Sequence, residues 1–106
     1  MVLSFASTGT ASAAGQCADL GNGRLCAGVV SGTSIVTVTF TKTGGSTIQA
    51  RMGYQGQQNA EVGPWHFQSP QSSYTEVFEA NTGGGCINAY MEVSTQGLFQ
   101  VPLTCP

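Results

Sequence analysis

The chain has 106 residues, three basic and five acidic side chains, a net charge of −2, four cysteines and one histidine. At this length we expect one domain, and 41% hydrophobic residues exclude a disordered chain. The basic residues Arg24, Lys42 and Arg51 are scattered, which argues against nucleic acid as a partner. Because no run of about 18 apolar residues occurs, we expect no membrane insertion.

The N-terminus predicts an export segment. Ala11-Ser12-Ala13 has the small-x-small pattern after which a signal peptidase cuts. No basic residue precedes Arg24 and the first apolar stretch is short, so we interpret 1–13 as a signal-peptide remnant downstream of the true start. Residues 14–106 then form a single secreted β-domain. The alternative is a disordered N-terminus rich in Ala and Ser.

Period-two alternation of apolar and polar residues dominates the rest of the chain, whereas helical periodicity is nearly absent. The pattern predicts six or seven short strands separated by Gly-rich turns. We therefore expect an all-β fold, a small antiparallel β-sandwich stapled by two disulfides, with a small β-barrel as the alternative. The predicted strands cover 25–30, 34–42, 47–54, 59–67, 73–80, 87–93 and 99–105.

Two of these runs flank Thr43-Gly44-Gly45 and predict a hairpin. Pairing Phe40 with Ile48, and Val38 with Ala50, brings both apolar faces to the same side of the sheet. That register needs a left-handed residue at the end of the loop, which Gly45 can supply.

The C-terminal runs predict a second hairpin by the same argument. With Gly97 as the left-handed loop residue, Val93 faces Phe99 and Met91 faces Val101.

Four cysteines in so short a chain predict two disulfides and an oxidising compartment. A tight turn midway between Cys17 and Cys26 would set them opposite each other. Cys86 and Cys105 bracket the C-terminal hairpin, although the register above places Cys105 opposite Ile87. A bulge at 84–86, or the end of the strand, must then absorb one residue. Three pairings are possible, and we favour 17–26 with 86–105.

None of the common catalytic constellations can be recognised in the sequence. His66 is the single histidine, and no serine lies in a Gly-x-Ser-x-Gly elbow. Glu76 and Glu79 are three residues apart on a predicted strand and so point to opposite faces. We find no metal-binding pattern either. We therefore expect no enzymatic activity, no catalytic residues, no metal and no cofactor.

The segment Gly63-Pro64-Trp65-His66-Phe67 is the most distinctive stretch. Trp65 and His66 are candidates for binding a sugar ring or a protein partner. The other interpretation, which the alternation favours, is that Trp65 and Phe67 share a strand face and belong to the core. Tyr74 and Tyr90 are further candidates, and Tyr90 lies on the polar face of its strand, where we expect it to be the most exposed aromatic residue.

The Ala/Ser-rich start, the low charge, the abundant Gly and Thr and the spaced cysteine pairs resemble the small exoproteins of high-GC Gram-positive bacteria such as streptomycetes. This resemblance of style implies secretion to the extracellular space. We expect a non-catalytic protein-binding module, an adaptor or subunit of an extracellular assembly, with an antibacterial role as one option. Its partner would be another secreted or cell-surface protein. The alternatives are a carbohydrate-binding module, with a glycan as ligand, and a small protease inhibitor using a disulfide-braced loop at 69–73.

Overall fold

The structure, a computed structural model, describes residues 13–30, 35–79 and 85–106. Within these ranges it contains nine strands: β1 (Ala13–Asp19), β2 (Gly23–Val30), β3 (Ile35–Lys42), β4 (Ile48–Gln55), β5 (Ala60–Val62), β6 (His66–Gln68), β7 (Ser72–Glu79), β8 (Asn88–Val93) and β9 (Gly97–Gln100). None of the described segments forms a helix capable of crossing a membrane. Of the predicted export segment, 1–12 lie outside the described residues, and Ala13 begins β1.

The strands form two antiparallel sheets. The four-stranded sheet has the order β1-β2-β3-β7, and the five-stranded sheet has the order β5-β4-β8-β9, with β6 also paired to β4. Their apolar faces pack together, which confirms the predicted all-β sandwich. Buried hydrophobic residues from both sheets make up the core: Leu25, Ala27, Val29, Val36, Val38, Phe40, Ile48, Ala50, Met52, Tyr54, Phe78, Ile87, Ala89, Met91, Val93 and Val101.

The described ranges contain nine strands, whereas the sequence predicts six or seven, and the difference has two causes. β1 pairs with β2 from Ala13 to Asp19, and this strand has too little alternation to be recognised in the sequence. The predicted strand at 59–67 is divided into β5 and β6 by residues 63–65.

The predicted hairpin between β3 and β4 is wrong. Both edges of β3 are occupied, one by β2 and the other by β7, and β4 belongs to the other sheet. Phe40 and Ile48 therefore lie in the core on opposite sheets instead of side by side, and the same is true of Val38 and Ala50. Gly45 does adopt a positive φ of 75°, but in a connection between the sheets.

The C-terminal hairpin exists, with a register that differs from the predicted one by two residues. Met91 pairs with Phe99 rather than with Val101, and Val93 pairs with Gly97. Gly97 has a φ of 96°, as the loop requires. Because the difference is an even number, the same side chains face the core.

Both predicted disulfides are confirmed. Cys17 and Cys26 are direct partners in the β1–β2 ladder, and Cys86 is bonded to Cys105. The bonds span sequence separations of 9 and 19 residues, for which chain-entropy arguments give about 2.7 and 3.3 kcal/mol of stabilisation.

The extra residue near the second disulfide is absorbed at a different place from the one predicted. Val101 donates its N–H to the carbonyl of Ala89, whereas Thr104 pairs with Ile87. Residues 102 and 103 therefore stand opposite residue 88 alone. The bulge coincides with Pro102, which has no N–H to give to a ladder.

Candidate binding surface

A bulge beside β4 determines which side chains reach the solvent on the five-stranded sheet. Val62 of β5 pairs with Gly53, and His66 of β6 pairs with Ala50. Three residues, 63–65, thus stand opposite two residues of β4. This insertion reverses the alternation, so that residues 62 and 67 share the outer face of the sheet.

The bulge begins at a glycine, against which a side chain of the other sheet packs. A Cβ atom at Gly63 would lie 2.5 Å from a carboxylate oxygen of Glu76, which reaches across from β7. The N–H of Gly63 still donates to the carbonyl of Met52, at 2.8 Å. The Glu76 side chain therefore lies against the backbone of the bulge at this point, and the following residue, Pro64, cannot donate a backbone hydrogen bond.

Apolar side chains gather on the outer face of the five-stranded sheet. Phe67 pairs with Gln49, Leu98 pairs with Glu92, and Tyr90 pairs with Gly53, all on outward positions. Six large hydrophobic side chains are exposed in the described ranges, and four belong to this face: Val62 (47%), Trp65 (39%), Phe67 (75%) and Leu98 (54%). We call the surface formed by Val62, Trp65, Phe67, Tyr90 and Leu98 the aromatic face.

The interpretation of Trp65 and Phe67 as core residues is therefore wrong. They do share one face of the sheet, but it is the solvent face, because the bulge intervenes between β5 and β6. Core positions on β6 are instead filled by polar groups. Buried Gln68 donates from Nε2 to the carbonyls of Phe40 (2.7 Å) and Ser72 (3.1 Å), which links the two sheets.

An ion pair crosses the middle of the aromatic face. Arg51 and Glu92 are partners in the β4–β8 ladder. The Nε and Nη2 atoms of Arg51 each lie 2.8 Å from Oε1 of Glu92. The guanidinium carbon also lies 4.5 Å from the centroid of the Trp65 ring. The opposite charges of this pair cancel, so the pair makes this part of the surface polar but adds no net charge.

Tyr90 lies over a glycine on this face. A Cβ atom at Gly53 would come within 2.5 Å of the Tyr90 hydroxyl oxygen and 2.6 Å of the adjacent ring carbon. The ring covers the gap that the glycine leaves in the sheet. Tyr90 is consequently half-buried, and Phe67, not Tyr90, is the more exposed of the two.

His66 and Tyr74 lie apart from the aromatic face, between the edges of the two sheets. Their rings stack with centroids 3.5 Å apart and planes 11° from parallel. The Tyr74 hydroxyl donates to Oε1 of Glu76 at 3.0 Å. Burial, together with this carboxylate, raises the pKa of Tyr74. Of the four candidate binding residues, the structure brings Trp65 and Tyr90 to one surface and pairs the other two elsewhere.

A second tyrosine–carboxylate pair lies nearby, between β4 and β5. Tyr54 is fully buried and donates its hydroxyl proton to Oε2 of Glu61 at 2.8 Å. Burial, and to a lesser degree the neighbouring Glu61 carboxylate, raises the pKa of Tyr54 to about 12. The phenol therefore stays protonated further into the alkaline range than an ordinary tyrosine, and it serves as a hydrogen-bond donor.

Five surface neighbours of Trp65 are not evident from the sequence: Val62, Phe67, Leu98, Arg51 and Glu92. For Phe67 and Val62, a usable signal was the Gly63-Pro64 step inside the predicted strand, since Gly and Pro within a strand mark bulges and edges. The pairing of Arg51 with Glu92 can be recognised only from the β4–β8 register, because the two residues are far apart in the chain.

Two further observations concern a metal site and the loop at 69–73. In the part of the chain that is described, no three His, Cys, Asp or Glu residues come together as a metal site. The 69–73 segment is a tight turn in which Gln71 has a φ of 63° and Ser72 donates to the Ser69 carbonyl. Neither disulfide joins that turn.

Comparison of the chain with protein-family models, with curated proteins and with solved structures found no match.

Proposed function

We propose that this protein is a non-catalytic, secreted protein-binding module and that the aromatic face is its docking surface. The observation that carries the proposal is the concentration of exposed apolar side chains on one sheet face, with Phe67 three-quarters exposed. Isolated exposed hydrophobic residues are common, but a group of them with a polar surround is typical of interaction sites. The two disulfides are compatible with an extracellular location.

The chemistry of the face supports a particular kind of partner. Its outward charges on the paired strands β4 and β8 are Arg51 and Glu92, which neutralise each other. A strongly charged partner would gain little attraction and would have to be desolvated. The expected partner is another secreted or cell-surface protein that offers an uncharged, apolar surface, and its binding depends little on ionic strength.

A glycan is the second candidate, because one observation favours it. The Tyr90 ring covers Gly53 on the sheet, and amide side chains of Gln49 and Gln55 share its outer face. Flat aromatic rings beside amides suit sugar rings as well as proteins. Val62 and Leu98 favour the protein, since an aliphatic side chain provides apolar area but no planar ring for stacking.

Affinity capture from a culture supernatant of the source organism tests the proposal. The immobilised wild type is compared with Phe67→Ser, and Val77→Ser is the matched control, because Val77 is 57% exposed on the other sheet. We expect a protein that wild type and Val77→Ser retain and Phe67→Ser loses.

A parallel column of immobilised polysaccharide separates the alternatives. Retention of the protein on polysaccharide, release by free sugar and recovery of no protein partner would replace the proposal with the glycan function. Recovery of the chain itself as the partner would assign the aromatic face to self-association.

A further inference from the structure

Trp65 lies against a charged neighbour on the adjacent strand. The Arg51 guanidinium carbon lies 4.5 Å from the centroid of the indole, within the range at which a cation is attracted to a ring face. At 39% exposure, Trp65 remains accessible to a partner. One part of the indole is thus covered by Arg51, and another part is exposed to solvent.

Arg51 is in turn fixed by Glu92. Two different guanidinium nitrogens, Nε and Nη2, contact the same carboxylate oxygen at 2.8 Å. Two bonds restrict the rotation of the guanidinium plane more than one bond would. Both side chains are about one-third exposed, so the pair is screened by solvent and adds little to folding stability. Its main consequence is geometric, because it determines where the cation sits beneath the indole.

The bulge makes this support necessary. Trp65 is the last of the three residues inserted between β5 and β6, and it follows Pro64. It does not belong to either strand, so its backbone lacks the ladder pairing that aligns Phe67 with Gln49. Contact with Arg51 supplies that restraint from β4.

We propose that Arg51 and Glu92 are positioning residues that hold Trp65 as a preformed anchor on the aromatic face. The proposal rests on the protein-binding function above and deepens it. A bulky side chain that is ordered before association loses less conformational freedom on binding. Loss of the restraint should weaken partner binding about 3- to 10-fold, the range expected for ordering one side chain.

Fluorescence of the free protein tests the restraint without any partner. Trp65 is the single tryptophan of the chain, so its emission reports on this side chain alone. We expect Arg51→Gln and Glu92→Gln to raise quenching by acrylamide and to speed the local decay of anisotropy. Arg24→Gln, which removes an exposed arginine from the other sheet, is the control and should leave both signals unchanged. Denaturation midpoints verify that each variant is folded.

Binding to the protein recovered by affinity capture tests the consequence. Arg51→Gln and Glu92→Gln should bind it more weakly than wild type, and Arg24→Gln should bind it equally well. Unchanged Trp65 mobility in both variants would overturn the restraint. Increased mobility with wild-type affinity would overturn the anchor role while the protein-binding function stands. If Trp65→Ala and Phe67→Ser retain the same proteins as wild type, the docking function fails and the anchor role fails with it.

Discussion

Gly53 shows how a single residue shapes the candidate surface. It lies in the middle of β4, opposite Tyr90 on one side and Val62 on the other. Because it has no side chain, the Tyr90 ring can lie over the sheet rather than stand away from it. The flatness of the aromatic face near Tyr90 thus depends on the absence of one methyl group.

We predict that Gly53→Ala destabilises the fold by about 1–3 kcal/mol, the usual cost of overpacking. The new Cβ would meet the Tyr90 hydroxyl at 2.5 Å and the Glu61 carbonyl oxygen at 2.7 Å. The latter is backbone and cannot move aside easily. Gly44→Ala is the control, since nothing lies within 4 Å of a Cβ there. Denaturant midpoints measure both, and equal midpoints would contradict the close packing of Tyr90 on β4.

Tyr54 predicts how stability depends on pH in the alkaline range. Burial and Glu61 raise its pKa from 10.0 to about 12. The unfolded chain therefore releases this proton at a lower pH than the folded protein does. The contribution of Tyr54 to the free energy of unfolding is complete below pH 10 and is lost as the pH rises through about 12.

The measurement is a titration of phenolate absorbance, with Tyr54→Phe to identify the transition that belongs to this residue. We expect Glu61→Gln to lower the pKa of Tyr54, because the substitution removes a negative charge and a carboxylate acceptor. An unaltered transition in Glu61→Gln would show that burial alone sets the pKa.

At the scale of the elements, the turns depend on residues that tolerate a positive φ. Gly97 has a φ of 96° and closes the β8–β9 hairpin, and no neighbouring atom lies within 4 Å of the position that a Cβ would take. A larger side chain would meet no neighbour here, so the strain of a positive φ is what disfavours residues other than glycine.

We predict that Gly97→Val costs about 1–3 kcal/mol of stability. Gly44→Val is the matched control, because that position is equally open and Gly44 is not among the glycines with positive φ. Thermal or denaturant unfolding compares the two. A Gly97→Val midpoint equal to that of Gly44→Val would mean that the hairpin does not need a left-handed residue.

How far the elements could be predicted from sequence varies along the chain. Alternation located most strands and the faces that point to the core, and spacing located both disulfides. It could not decide whether two apolar strands pair at their edges or pack face to face, which is why β3 and β4 were joined incorrectly. Likewise, a bulge changes the direction of every later side chain, so Trp65 and Phe67 were assigned to the core.

At the scale of the whole molecule, the sandwich separates two chemically different outer surfaces. The four-stranded sheet presents hydroxyl pairs, with Thr39 and Thr75 joined at 2.8 Å and Thr41 joined to Ser73 at 2.8 Å. In each pair, the two hydroxyls form a hydrogen bond with each other across neighbouring strands. The five-stranded sheet presents the aromatic face, which accounts for most of the exposed large hydrophobic side chains described.

The native size of the protein tests the proposed docking function most directly. Culture supernatants containing wild type, Phe67→Ser or Val77→Ser are fractionated by size without prior purification, and the protein is detected in each fraction. We predict that wild type and Val77→Ser elute in a larger complex with a second protein and that Phe67→Ser elutes as a monomer. Elution of wild type as a monomer, or loss of the complex in Val77→Ser but not in Phe67→Ser, would contradict the assignment of the aromatic face as the docking surface.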